Sequence, residues 1–225
     1  MQASTEARWF FDEREKIASV EKWFAGFQLR LNTKNFERRD YYLKLPGVKS
    51  LGLKIREPKP DANGKWQGKL EAKVLIKNID IPQLKQGYSG YANQWTKFSF
   101  NLPAGESMLT EILDSFSVAG NLPGGEDLNQ WIELKKNRVL VEFDVEKKEF
   151  STEVTQIPEG CGIELTALQM NGVLKYSFGL EAFSNSGKQQ ENLFEALNYV
   201  FNEIKMEGLA LENSLSYPQF LALQV

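Results

Sequence analysis

Polar and apolar residues alternate with period two in segment after segment of this chain, which commits it to sheet. Successive side chains of a strand point to opposite faces, so such alternation marks a strand whose two faces meet different surroundings. The clearest segment is 69–77, where Leu70, Ala72, Val74 and Ile76 oppose Lys69, Glu71, Lys73 and Lys77. In 136–145, Val139, Val141, Phe143 and Val145 oppose Lys136, Arg138, Glu142 and Asp144. Segments 51–56 and 162–168 repeat the pattern, with Lys54 and Arg56 on the polar face of one and Glu164 and Thr166 on that of the other. Weaker strands are expected at 5–11, 37–45, 94–101 and 174–183, giving about eight in all. Turn chemistry separates several of them: Leu45-Pro46-Gly47, Asp61-Ala62-Asn63-Gly64 and Met170-Asn171-Gly172, the last joining two strands as a hairpin.

Helices are fewer. Residues 12–27 carry Ile17, Val20, Trp23 and Phe24 at helical spacing, with Asp12 as the expected N-cap. A shorter helix is expected at 107–117, and the strongest at 190–206, where Leu193, Leu197, Val200, Phe201 and Ile204 form an apolar stripe. A last short helix follows Tyr217-Pro218, since proline suits a first turn. The 225 residues read as one domain, 1–225, with the irregular span 79–128 as an insertion inside it.

These helices need apolar sheet to cover. If they pack outside a closed sheet, the apolar strand faces turn outward and the charged faces line an interior. A closed sheet of about eight strands is wide enough for one small ligand. A lining of mixed Lys, Arg and Glu offsets part of the several kcal/mol of hydration that each buried ion loses. A phosphate-rich anion with a divalent cation would offset more, because Arg and Lys hold phosphate oxygens while Glu holds the metal. The competing reading leaves the charged faces in bulk water, on a plain scaffold.

The composition excludes several chemistries. The chain has no histidine, which removes Ser-His-Asp and Cys-His catalysis and the commonest ligand of zinc and copper. A metal would be a hard ion held by carboxylates and water. The stretch Gly120-Asn121-Leu122-Pro123-Gly124-Gly125 lacks the Lys-Ser/Thr of a phosphate loop. Net charge is −3, so nothing global recommends nucleic acid or an anionic membrane. Cys161 is the single cysteine, and with no apolar run of about 20 residues and no signal-peptide pattern at the start, the expectation is cytoplasmic. Flanked by Gly160 and Gly162, Cys161 reads as a small buried residue. Trp9, Phe10 and Phe11 read as core against the first helix, 87–91 as a flexible loop, either over a tunnel mouth or an exposed turn, and Lys147-Lys148 as solvated.

With these residues in view, the chain resembles the CYTH superfamily, the triphosphate tunnel metalloenzymes, over nearly its whole length. Glu6-Ala7-Arg8 resembles that family's opening Glu-x-Glu-x-Lys strand, with Arg8 at the lysine position. Arg38-Arg39-Asp40-Tyr41-Tyr42 resembles its Asp-x-Tyr strand, and Leu53-Lys54-Ile55-Arg56 its paired basic strand. Leu70-Glu71-Ala72-Lys73 is similar to the strand that gives a lysine to the tunnel, and the stretch ending Lys136-Asn137-Arg138 to the one whose Lys and Arg bind phosphate. Ile163-Glu164-Leu165 matches part of the late acidic strand, and Ser216-Tyr217-Pro218 the start of the C-terminal helix. The Glu-x-Arg-x-Phe-Phe opening and Ser-Tyr-Pro ending are similar to those of a bacterial, chiefly cyanobacterial, branch.

The resemblance implies an α+β, mainly antiparallel fold: a closed or nearly closed eight-stranded β tunnel with helices packed outside. It implies phosphate binding by Arg8, Lys54, Arg56, Lys73, Lys136 and Arg138. Glu6 and Glu164 would hold Mg2+ or Mn2+ for hydrolysis of tripolyphosphate or an organic triphosphate, and Glu181, by its strand position alone, is the candidate to orient the water. The sequence departs from the family pattern at Ser4, where an acid is usual, and on the late strand, usually doubly acidic, where Gly162 and Thr166 stand either side of Glu164. Those departures keep open a non-catalytic module that binds a polyanion without turning it over.

Overall fold

In the computed structural model, residues 2–60, 62–64, 66–81, 88–102, 111, 131–153, 157–204 and 209–224 are described. All eight expected strands form. They are β1 (Gln2–Phe11), β2 (Arg38–Leu43), β3 (Leu51–Pro60), β4 (Trp66–Asp80), β5 (Tyr91–Leu102), β6 (Trp131–Asp144), β8 (Glu159–Met170) and β9 (Val173–Ser184). The three-residue β7 (Glu149–Ser151) has no alternation long enough to be read from sequence.

Every pairing is antiparallel, and neighbours run β2-β3-β4-β5-β1-β9-β8-β6 before β2 pairs with β6 and closes the ring. Closure leaves no open edge along this ring. β7 lies against the far end of β6, at Glu142–Asp144. The β8–β9 hairpin turns at Asn171 (φ 49°) and Gly172 (φ 79°), the two left-handed positions that an Asn-Gly turn supplies.

The main core lies outside the barrel. Trp9, Phe11, Val141, Phe143, Ile163, Leu165, Phe178 and Leu180 turn outward and are covered by α1 (Ala18–Gly26) and α2 (Gln189–Glu203). From α2, Phe201 meets Trp9 edge-on at 5.9 Å. On β4 and β5 the outward apolar face is less covered: Val74, Ile76, Phe98 and Phe100 are exposed.

A second apolar cluster plugs one end of the barrel. Phe10, Tyr42, Ile132, Leu134, Leu168 and Met170 meet Phe220 and Leu221 of α3 (Tyr217–Ala222). Phe10 and Phe220 stack at 4.0 Å. The Ser216 hydroxyl accepts from Gln219 N while the Gln219 side chain accepts from Ser216 N at 2.8 Å, a capping box worth about 1 kcal/mol.

Several local expectations are corrected. Asp12 caps no helix: its carboxylate accepts from Lys175 Nζ at 2.6 Å, the chain first makes a 3-10 turn at Arg14–Ile17, and α1 begins at Ala18. Phe10 faces the plug rather than the first helix, because it alternates with outward Trp9 and Phe11. Tyr88 is buried and its hydroxyl donates to the Ile204 carbonyl, so 88–90 is core rather than an exposed turn. A bulge between Leu75 and Lys77 inserts Ile76 and breaks the period, and Lys77 leaves the inward row. The expected helix 107–117, apart from Glu111, lies outside the described residues, as does most of the 79–128 span. Cys161 is buried, which pushes its thiol pKa up, and Lys147 and Lys148 are exposed. Among the described residues no helix is long and apolar enough to cross a membrane.

Candidate functional site

Because the apolar faces turn outward, the alternate residues have only the barrel interior to occupy. All nine side chains singled out from sequence line one cavity there: Glu6, Arg8, Lys54, Arg56, Lys73, Lys136, Arg138, Glu164 and Glu181. The barrel adds Arg38, Lys97, Trp95 and Tyr42, and α3 adds Ser216, Tyr217 and Pro218. With Glu71, which also lines the cavity, and Asp40, which pairs with three of these bases, the described residues of the interior include eight cations against five carboxylates. A chain of net charge −3 therefore concentrates a positive excess of three in one enclosed space.

Three ion-pair groups share that space. Asp40 is fully buried and accepts from Arg38 Nε and Nη2 at 2.8 and 2.6 Å, with Lys54 Nζ and Lys136 Nζ each at 3.3 Å. Burial alone would raise its pKa, but Lys136, Lys54 and Arg38 hold it well below the usual carboxylate range. Lys54 also reaches Glu71 at 3.1 Å, which Arg56 meets at 3.3 Å. Lys136 Nζ donates to the Tyr42 hydroxyl at 2.8 Å and lies 4.0 Å from the centre of the Tyr217 ring, a cation–π contact. Burial pushes the Tyr42 phenol up to about 12.

The second group centres on Glu164, which accepts from Arg8 at 3.0 Å, Arg138 at 3.1 Å and the Thr166 hydroxyl at 2.9 Å. Burial works against its charge, yet Arg8 and Arg138 keep its pKa far below the usual range. Arg8 also donates to Ser177 Oγ at 3.1 Å and lies directly over Gly179, where a Cβ would come within 2.6 Å of the guanidinium carbon. Only glycine leaves that room. In the third group Lys73 bridges Glu6 and Glu181. Burial holds the more enclosed Glu6 above its ordinary pKa, whereas Lys73 draws Glu181 down to about 2. Lys97 forms no ion pair among the described residues, and burial lowers its pKa.

Sequence reading missed Arg38, Asp40 and Lys97 as site residues. The signal was there: Arg38, Asp40 and Tyr42 alternate along β2, and Trp95, Lys97 and Ser99 alternate with Thr96, Phe98 and Phe100 along β5. Of the departures from the family pattern, Ser4 and Gly162 face the same outer part of the cavity and Thr166 lines its inner part. Among the described residues no three acidic side chains converge as cation ligands. Glu6 and Glu164 instead each engage basic side chains.

The depressed carboxylates set a pH dependence. A group with a lowered folded pKa adds stability above its unfolded value, near 4, and that stability is lost as pH falls through the folded value. Asp40, Glu71, Glu164 and Glu181 all have this sign, and Glu6 has the opposite one. The urea midpoint is expected to fall steadily from about pH 5 toward pH 2. A midpoint flat over that range would mean that these carboxylates contribute no net stability.

No family model matches the chain, and no curated protein does. Among the solved structures similar to it are the following two. The PH1819 protein of Pyrococcus horikoshii OT3 is 14% identical with a TM-score of 0.43, over 99% of each chain. A protein described as a "putative adenylate cyclase", from Bacillus halodurans, is 14% identical with a TM-score of 0.42, over 92% of this chain and 96% of its own.

Proposed function

We propose that the barrel cavity binds a phosphate-rich small anion. The observation that carries this is the positive excess enclosed in the barrel. Self-repulsion makes such an excess costly unless an anion relieves it, and low-dielectric walls focus it on any anion that enters. Two donors support the reading further. Lys97 makes no ion pair within 4.0 Å among the described residues, though Glu181 and Glu71 attract it from further off, and Arg8 Nε is buried without a hydrogen-bond partner there. The closed barrel speaks against the scaffold reading, since it gathers the charged strand faces around one shared interior.

Binding is better supported than turnover. A metal-dependent triphosphatase would need Glu6 and Glu164 to hold Mg2+ or Mn2+, and both carboxylates are neutralised by Lys73 and by Arg8 with Arg138. The donor set does not form a metal site on its own, so no catalytic step is derived through one. The opening Glu6/Arg8 strand and the closing Ser216-Tyr217-Pro218 both border the cavity, which supports reading the chain as a divergent tunnel protein of the bacterial branch it resembles. Buried, unpaired Cys161 fits a cytoplasmic setting.

The test is calorimetric titration with tripolyphosphate, in excess magnesium and again with chelator. Saturable heat in chelator that decays to baseline is the expected result. Sustained heat and phosphate release confined to magnesium would extend the reading to hydrolysis, with Glu181 as the group that orients water. No heat in either condition would overturn it.

A further inference from the structure

The outer face of β3, β4 and β5 carries an apolar patch that lies apart from both cores. Strand register aligns its side chains in three rows: Leu51, Val74 and Thr96; Leu53, Ala72 and Phe98; Ile55, Leu70 and Phe100. Their neighbours along each strand, Lys54, Glu71, Lys73 and Lys97 among them, line the barrel cavity, so these nine face outward. Eight of the nine are apolar and none is charged. Among the described residues, neither apolar core takes in any of them.

Ile55, on the β2 side, is buried, and exposure rises across the sheet to 37% at Phe98 and 57% at Phe100. Those two leave roughly 200 Å² of their surface in water. With Val74 and the bulged Ile76 also exposed, the patch reaches the size at which a monomer's apolar surface is often functional.

Two features suit this face to a copy of itself. The first is relief. Ala72 is the smallest of the apolar eight and sits among Leu70, Val74, Leu53 and Phe98, so a hollow opens beside the ridge of Phe98 and Phe100. A two-fold pairing needs knob and hole on one surface, because each contact is made twice with the roles exchanged. The second is charge. The chain carries net −3, and like charges brought together would oppose pairing. A face without charge brings none to the contact.

We infer that two copies of this chain pair through the outer faces of β3, β4 and β5, with Phe98 and Phe100 of each entering the hollow over Ala72 of the other. Packed sheets interdigitate in this way across their facing side chains. The patch is smaller than the roughly 800 Å² per partner of a standard interface, so pairing is weak, with dissociation expected between about 1 and 100 μM. The barrel wall stands between this contact and each interior, so the two cavities stay separate.

Sedimentation velocity over a concentration series that brackets this range tests the pairing. The mean mass is expected to rise from near 25.7 kDa towards twice that value. Phe100→Lys should weaken association at least about 30-fold, since it removes an apolar anchor and adds like charge on both sides of the axis. Its exposure lets the variant fold, which an unchanged thermal melt would show. If it does not fold, Val74→Lys makes the same test from the neighbouring strand. A parent chain that stays near 25.7 kDa at every concentration would overturn the inference. Co-sedimentation of such a monomer with neutral lipid vesicles would then assign the face to a membrane surface, and a melt lowered by Phe100→Lys would assign it to another part of the same chain. A dimer that both variants leave intact would place the contact elsewhere and also overturn this interface.

Discussion

Asp40→Ala is expected to destabilise the fold by about 3–5 kcal/mol, the cost of removing one partner from a buried ion pair. Asp40 is wholly inaccessible, and it neutralises Arg38, Lys54 and Lys136, of which Lys136 is only 6% exposed. Without it Lys54 keeps Glu71, but Lys136 keeps only the Tyr42 hydroxyl and two aromatic faces. Burial already lowers the pKa of Lys136, so losing the carboxylate should make it shed its proton more readily. For a domain of this size the loss corresponds to roughly 6–20 °C in Tm. The second variant is Lys136→Met, alone and combined with Asp40→Ala. If Lys136 is the stranded charge, the double variant should be more stable than Asp40→Ala alone, a coupling that a double-mutant cycle reads directly. A loss under about 1 kcal/mol for Asp40→Ala would mean that water entering the barrel solvates the three bases, as at an exposed pair.

Arg56→Ala combined with Arg138→Ala should act the other way, sparing the fold and removing the ligand. Both side chains are partly exposed, at 33% and 41%, and their carboxylates keep other partners: Glu71 has Lys54, and Glu164 has Arg8. Exposed pairs of this kind contribute only about 0–1 kcal/mol each. A charge-assisted bond to a phosphate is stronger, about 1.5–3 kcal/mol, so the pair should cost more than 100-fold in tripolyphosphate affinity. Calorimetry with the purified variant measures this, and a thermal melt unchanged within a few degrees shows that the fold survived. Unaltered affinity would mean that neither arginine touches the anion. Rising salt should weaken binding in the parent protein as well, since screening acts on both mouth and ligand.

The alternating segments were legible because a barrel wall has two faces of opposite chemistry, and eight strands show the difference in period two. The nine cavity-lining residues read from sequence were legible for the same reason, since each occupies a polar position on such a strand. Lys97 and Arg38 were harder to see. Their strands contrast less in polarity: on β2 the outward row carries Arg39 and Tyr41 opposite Arg38 and Asp40, and on β5 the inward row sets Trp95 beside Lys97. β7 was not legible at all, being three residues that form a strand only because β6 offers an edge beyond β2.

What the amino-acid sequence determined by itself was the set of strands, the absence of imidazole chemistry and the division of each strand into a charged row and an apolar row. Those are local properties, set by the two-residue repeat and by composition. Only the tertiary structure decided which row faced inward, because that depends on α1 and α2 covering the outside and on β2 meeting β6 to close the ring. It alone decided which base meets which carboxylate. Beyond Arg38 on its own strand, Asp40 gathers Lys54 from β3 and Lys136 from β6, and Glu164 gathers Arg8 from β1 and Arg138 from β6. Strand stagger around a closed barrel sets those meetings, and no spacing along the chain encodes it.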